Sequence, residues 1–216
     1  MTMSRGRYNS GERTRIRLIE AAEKLFARRG YDGVTLADIR KAAGQHNSSV
    51  IGYYFGTKDG LLGAVADHRF PAVDAERGAL VRQFLQGGHV LSTREALWAV
   101  AEPLANTVGR NNHYVAMLYR LLDEGRLAEH VAAAMSTSNG YLVDTTLRTS
   151  AGHLPPDVVD QRLDLVYESI VRALSRCDAM GRPPAHAELS ALVDAWEAAL
   201  VAPLSEETEA ARAARA

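Results

Sequence analysis

A single cysteine, Cys177, stands among 216 residues. One thiol can form neither an internal disulfide nor a paired-thiolate metal site, which points to a reducing, cytoplasmic compartment. No run of 18 uncharged apolar residues occurs, and the opening MTMSRGRYNS has no apolar core. A membrane-spanning helix, a secretion signal and a membrane partner are therefore not expected. Alternating β-branched segments closed by paired turns are missing too, so the expected fold class is all-α. The chain also lacks a G-x-S-x-G turn, a Gly-rich phosphate loop and an H-E-x-x-H pair. Its seven histidines are scattered, and His130 points to a different helix face from Glu129. Catalysis, a metal and a cofactor are all unexpected. Lysine is scarce, 3 against 22 arginines, but arginine is spread along the whole chain and reads as coding bias rather than phosphate recognition.

What is present is an ordinary globular composition, 47% hydrophobic and 24% charged, with a lopsided charge. Residues 1–60 carry 11 basic and 6 acidic groups, +5, which leaves 14 basic and 20 acidic groups, −6, for the remainder. A basic head on an acidic body suits a polyanionic partner, although helix faces also acquire such charge by chance.

Helical periodicity runs almost throughout. From Gly11 to Arg29 an apolar stripe recurs at Leu18, Ala21, Ala22, Leu25 and Phe26, with Gly30 as a stop. Thr35 followed by Asp38 gives a capping-box start for a short helix to Ala43, which Gly44 ends. A third helix is expected from Asn47 or Ser48 to Phe55, and Thr57 caps a fourth from Lys58. This spacing is a helix-turn-helix pattern, with a generic helical hairpin as the bland alternative. Later helices are expected at 58–86 with a bend at Pro71, then at 93–109, 112–123, 126–150, 156–180 and 186–202. The units are a flexible arm at 1–10, a helix-turn-helix domain at 11–57, a helical body at 58–204 and a frayed tail at 205–216.

Within that head, TRIRLIEAAEKLFARRGYDGVTLADIRKAAG and the following YYFGTKDGLL resemble the DNA-binding domain of TetR-family transcriptional regulators. The similarity covers residues 12–62. Two details depart from the common pattern: the stretch from Gly44 to Phe55 is one residue longer than in most members, and Tyr54 replaces the usual His. The resemblance implies a regulator, most simply a repressor, that binds double-stranded operator DNA as a homodimer and leaves it on meeting a small-molecule inducer. A non-specific DNA binder or helical interaction module without ligand control is the alternative.

A helix in the major groove needs small groups where its backbone nears base edges and long polar groups where it reaches phosphate. Asn47, Ser48, Ser49 and Gly52 are expected at the base-facing half of the third helix, with Tyr53 and Tyr54 along the groove wall. Ile51 and Phe55 would anchor its other side. Thr35 and Lys58 lie at helix N-termini, where free N–H groups favour an anion, and their family equivalents touch the DNA backbone; Arg40 would do likewise. Arg5 and Arg7 would enter a minor groove. Other readings stay open: Thr35 caps whatever its function, Asn47 could do no more than cap, Gly52 could relieve a helix crossing, and both tyrosines could pack.

The resemblance also implies a four-helix dimer bundle from the last two long helices, through Val159, Leu163, Val166, Ile170, Leu174, Leu192, Trp196 and Leu200. It further implies an inducer cavity in the body, for which Phe84, Trp98, Tyr114, Met117, Leu118, Met135 and Tyr141 are the expected lining. Such residues suit a mostly apolar ligand, but at helical spacing they are more often plain core.

Overall fold

The computed structural model describes residues 3–109 and 112–214, with side chains from Gly11 onward. Every regular element among them is helical. In chain order these are α1 (Met3–Arg29), α2 (Leu36–Ala42), α3 (Val50–Phe55), α4 (Lys58–Phe84), α5 (Thr93–Ala105), α6 (Tyr114–Asp123), α7 (Leu127–Met135), α8 (Ser138–Ser150), α9 (Pro156–Ala179), α10 (His186–Val201) and α11 (Glu206–Ala213), with a 3-10 turn at Gln86–Gly88. The backbone of α1 starts well upstream of Gly11, inside the segment expected to be an arm, while the side chains of Arg5 and Arg7 lie outside the described residues.

The boundaries follow local chemistry. Thr35 and Asp38 form the capping box of α2, and Ser92 and Glu95 form that of α5. Thr57 caps α4 by accepting from the Gly60 N–H, and Pro156 occupies the first turn of α9, where no donor is lost. Gly30, Gly44 and Gly125 adopt positive φ where helices end.

Three features depart from the expected spans. The single helix expected at 126–150 is two, because Thr137 stops α7 and caps α8 through the Gly140 N–H. Residue 140 has to be glycine there, since a Cβ would overlap the Ala134 carbonyl oxygen. The tail expected to fray contains α11, capped by Ser205 and tied to α9 by a two-pronged Arg212–Asp157 pair. Third, the head does not close its core alone. Leu18, Phe26, Ile39 and Ile51 share one buried cluster with Leu61 and Val65 of α4 and with Met117 and Leu121 of α6. A head of that size buries too little of its own surface to be self-sufficient, and it borrows the body's helices as a wall.

A buried ion pair fastens the same seam. Glu23 on α1 is 1% exposed and accepts from Arg69 Nε at 3.0 Å, from Arg69 Nη2 at 2.7 Å and from the His113 N–H at 2.9 Å. A second tie lies one layer away, where the Glu124 carboxylate at the end of α6 accepts from the backbone N–H groups of Tyr31 and Asp32. The head is thus locked to α4 and α6 through charge-assisted bonds.

The second apolar cluster fills the body between α5, α8, α9 and α10. Pro103 sits inside α5 and supplies no N–H for the carbonyl of Ala99 one turn earlier. Arg77 of α4 fills that role, its Nε donating to the Ala99 carbonyl at 3.2 Å.

Candidate nucleic-acid interface and interior cavity

Helix α3 is short and one-sided. Val50 and Ile51 are buried, whereas Gly52 and Tyr53 face outward and Tyr53 is 82% exposed. A Cβ on Gly52 would meet nothing within 4 Å, so no helix crossing inside the chain demands a glycine there. Tyr54 is half-buried, packed edge-on to Tyr53 with ring centroids 4.9 Å apart and tilted against Phe55. Of the two phenols, Tyr53 is presented and Tyr54 supports it.

Asn47, Ser48 and Ser49 were expected on α3 and instead form the turn ahead of it. The Asn47 side-chain oxygen accepts from the Ser49 N–H at 3.0 Å and from its hydroxyl at 2.8 Å, a local motif that competes with helix and holds the backbone in a turn. All three are exposed. Arg40, expected on phosphate, is engaged within the chain: its Nη1 donates to the carbonyls of Gln45 at 3.1 Å and His46 at 3.0 Å. It therefore stitches α2 to the turn that sets the direction of α3, a role that needs the three-dimensional turn to be seen.

Thr35 is exposed at the start of α2, where its hydroxyl donates to Asp38 at 2.7 Å. That bond, with the Thr35 N–H, holds the Asp38 carboxyl below its usual range. Lys58 is half-buried, with its ammonium 4.1 Å from the centre of the Tyr31 ring, and Arg126 lies 4.2 Å from the same ring. Tyr31 is thus flanked by two cations. Burial and its 2.6 Å bond to Asp59 push its phenol up to about 12.

Below this head the body contains a cavity of about 50 Å³ between α4, α5, α6, α7 and α9. Its walls include Phe70 and Arg77 from α4, Tyr114 and Leu118 from α6, Val131 from α7 and Ile170 from α9. Of the expected lining, Tyr114, Leu118 and Met135 are there. Met117 points into the head's cluster, while Trp98 packs in the body core with its ring stacked on His186, 4.9 Å between centroids. Phe84 packs on that same core, and Tyr141 is 67% exposed. Arg77 and Tyr167 line the cavity without having been expected: a charged residue amid a helical stripe reads as solvent-facing, and Tyr167 reads as part of the α9 core.

The residues expected to meet a partner copy also lie elsewhere. Val159, Leu163, Val166, Ile170, Leu174, Trp196 and Leu200 are all buried within one chain, and Leu192 is half-buried against the same cluster. The body already has enough helices to cover that stripe. The outer side of α9 instead exposes Leu165, at 58%, one turn before Ser169, which accepts from Trp196 Nε1 of α10 at 2.9 Å. No helix among the described residues is long and apolar enough to cross a membrane.

No curated protein matches the chain. Residues 18–65 match the family model described as bacterial regulatory proteins, tetR family. The matched span begins at Leu18 on α1, takes in α2, the turn and α3, and ends at Val65 on α4. Residues 18–65 are thus a tetR-family helix-turn-helix domain, the DNA-binding part of a transcriptional regulator of that type.

Proposed function

We propose that the protein is a dimeric repressor that reads an inverted-repeat duplex through α3 and is released from it by a small, mostly apolar ligand held in the body. The observation that carries this reading is the outward face of α3, where Tyr53 stands exposed beside the open space over Gly52. A glycine that no intramolecular neighbour requires and a large aromatic left in water both cost stability in isolation. Both suit close approach of an external surface, with duplex backbone and base edges as the partner. Asn47, Ser48 and Ser49 would meet that duplex from the turn, and Thr35 from the start of α2. Lys58 would add positive charge from its seat on Tyr31.

Tyr53→Ala is expected to weaken binding to the inverted repeat by about tenfold, the loss of one good contact, with thermal stability unchanged. Fluorescence anisotropy with a labelled duplex reads the first and calorimetric melting the second. Unchanged affinity would remove Tyr53 from the interface.

A short recognition helix reads only a few base pairs, so specificity needs two copies about 34–36 Å apart, one helical turn of DNA. Since the inner faces of α9 and α10 are used up within one chain, the pairing surface would be their outer faces, with Leu165 at its centre. Leu165→Glu is then expected to convert the dimer to monomer in sedimentation velocity and to reduce operator affinity in parallel. A dimer that survives this change pairs through another surface.

Ligand control would run through α4, which starts at Lys58 beside α3 and reaches Arg77 on the cavity wall. A ligand lowers DNA affinity only to the extent that it prefers the head spacing that misses the duplex. At about 50 Å³ the cavity is far below the ~300–1,000 Å³ of ordinary ligand sites. It would have to open, and α7 is the wall suited to move: Leu127 is its buried residue, and its first turn has no side-chain cap.

A further inference from the structure

The cavity is lined by apolar side chains except for Arg77, Tyr114, His130 and Tyr167, whose hydroxyl is already bonded to Asp144. Arg77 is 2% exposed, and its hydrogen bonds come from two of its three guanidinium nitrogens: Nε to the Ala99 carbonyl at 3.2 Å and Nη1 to Asp74 at 3.1 Å. Among the described residues Nη2 has no hydrogen-bond acceptor, the guanidinium carbon lying 5.7 Å from the centre of the Phe70 ring, and the Tyr114 hydroxyl has none either, although Tyr114 is 5% exposed. No side-chain nitrogen or oxygen there is both sealed from contact and unpartnered, so these two donors keep touch with the free space they line. Burying a guanidinium edge without an acceptor is costly, as is burying a phenol without one.

We propose that the cavity is an anion-headed ligand site, taking an apolar carboxylic acid whose carboxylate accepts from Arg77 Nη2 and the Tyr114 hydroxyl. This rests on the reading of the body as a ligand-binding domain. The neighbouring chemistry supports an acid over other head groups. Burial pushes the Tyr114 phenol up to about 12, so it is a donor at any neutral pH. His130, on the α7 wall, is held below the usual histidine range by burial, which leaves it neutral rather than a rival cation. Asp74 is already engaged: besides Arg77 Nη1 its carboxylate accepts from Thr137 Oγ1 at 2.9 Å and Asn139 Nδ2 at 3.1 Å, which hold it on Nη1 and leave Nη2 to the cavity. Gly78 makes this holding possible, since a Cβ there would come within 2.7 Å of Asn139 Nδ2. A cation would be repelled by Arg77, and a neutral carbonyl would forgo the charge-assisted bond.

The apolar part of the ligand also has a direction. A groove of about 330 Å³ on the other side of α7 shares Leu127, Val131, Met135 and Tyr167 with the cavity. Shifting α7 would join the two spaces into a volume within the ordinary range for a small ligand. The far wall of the groove carries Asp144, Asp160, Asp164 and Glu168 against Arg148, so a second negative charge at the tail end would be repelled. The ligand is a monoacid.

The test uses the full-length protein, with octanoate and 4-phenylbutyrate as probes beside methyl octanoate and octylamine, by isothermal titration calorimetry. The expected result is that both acids bind, and that the ester and the amine bind roughly ten- to hundredfold more weakly, the span of one charged hydrogen bond. Arg77→Gln should erase the preference for acid over ester. Tyr114→Phe, which removes one oxygen and leaves the packing intact, should weaken octanoate several-fold and leave methyl octanoate unmoved. Ester or amine binding as tightly as acid, octanoate indifferent to Tyr114→Phe, or no acid binding at millimolar concentration would each overturn the proposal. Adding operator duplex separates the two readings. Octanoate that binds with these dependences but leaves the duplex complex intact supports the carboxylate site and contradicts ligand-controlled release.

Discussion

Replacing Glu23 with alanine is expected to lower the free energy of unfolding by about 3–5 kcal/mol, the cost of leaving one member of a buried pair uncompensated. Glu23 is 1% exposed, and its loss strands both the Arg69 guanidinium and the His113 N–H at the seam between head and body. Glu23→Gln keeps one acceptor and should cost less. Urea unfolding followed by circular dichroism reads both variants. Because the pair joins α1 to α4 and α6, the alanine variant should also lose coupling between head and body, seen as faster amide exchange in α1 than in α9. A loss below about 1 kcal/mol would place the pair among those whose desolvation cancels their attraction.

Two glycines of the same helix predict opposite outcomes, which isolates geometry from propensity. A Cβ at residue 60 would overlap the carbonyl oxygen of Phe55, the last residue of α3, whereas a Cβ at residue 63 meets nothing within 4 Å. Gly63→Ala is therefore expected to stabilise α4 by up to about 1 kcal/mol, the usual helix gain of alanine over glycine. Gly60→Ala must push the end of α3 away from α4, at a cost of about 1–3 kcal/mol for overpacking against backbone. That displacement tilts Tyr53 with it, so duplex affinity should fall by about tenfold or more, beyond what a stability loss of this size would do to a protein still folded. Thermal melting and duplex titration on the pair of variants check both halves. Equal behaviour at the two positions would contradict the close approach.

The parts of the fold that local chemistry dictates were legible in the sequence. Thr35 with Asp38, Thr57 before Lys58, Gly30, Gly44 and the Pro155-Pro156 pair each mark a boundary through bonds within a few residues, and the helices start and stop there. The region from 126 to 150 was harder, because Thr137 inside a helix-friendly run looks neutral until the turn before it is built. The tail has no apolar stripe to announce α11, whose tie to the body is the Arg212–Asp157 pair.

The site residues divide the same way. Tyr53 and Gly52 stand out in the sequence because they are out of place on any buried helix. Arg40 and Lys58 are basic residues near the expected interface, but their partners, the Gln45 and His46 carbonyls and the Tyr31 ring, emerge only once the turn and the helix crossing exist. Arg77 is the extreme case. Its burial depends on a carbonyl that Pro103 leaves free and on an aspartate held by Thr137 and Asn139, contacts that no period in the sequence encodes. The stripe of α9 is apolar as its spacing implies, and within one chain it packs on the body, since periodicity reports that a face is covered but not by what.

The central claim is that α3, presented by a head locked onto α4 and α6, reads duplex sequence in two copies at once. The most direct measurement is a titration of the intact protein against the inverted repeat nearest its coding region and against a scrambled duplex of equal length, across a range of salt. Two chains per repeat, and a preference of about a thousandfold or more over the scrambled duplex at physiological salt, is the predicted result. Equal affinity for both duplexes, or a single chain bound per repeat, would contradict it.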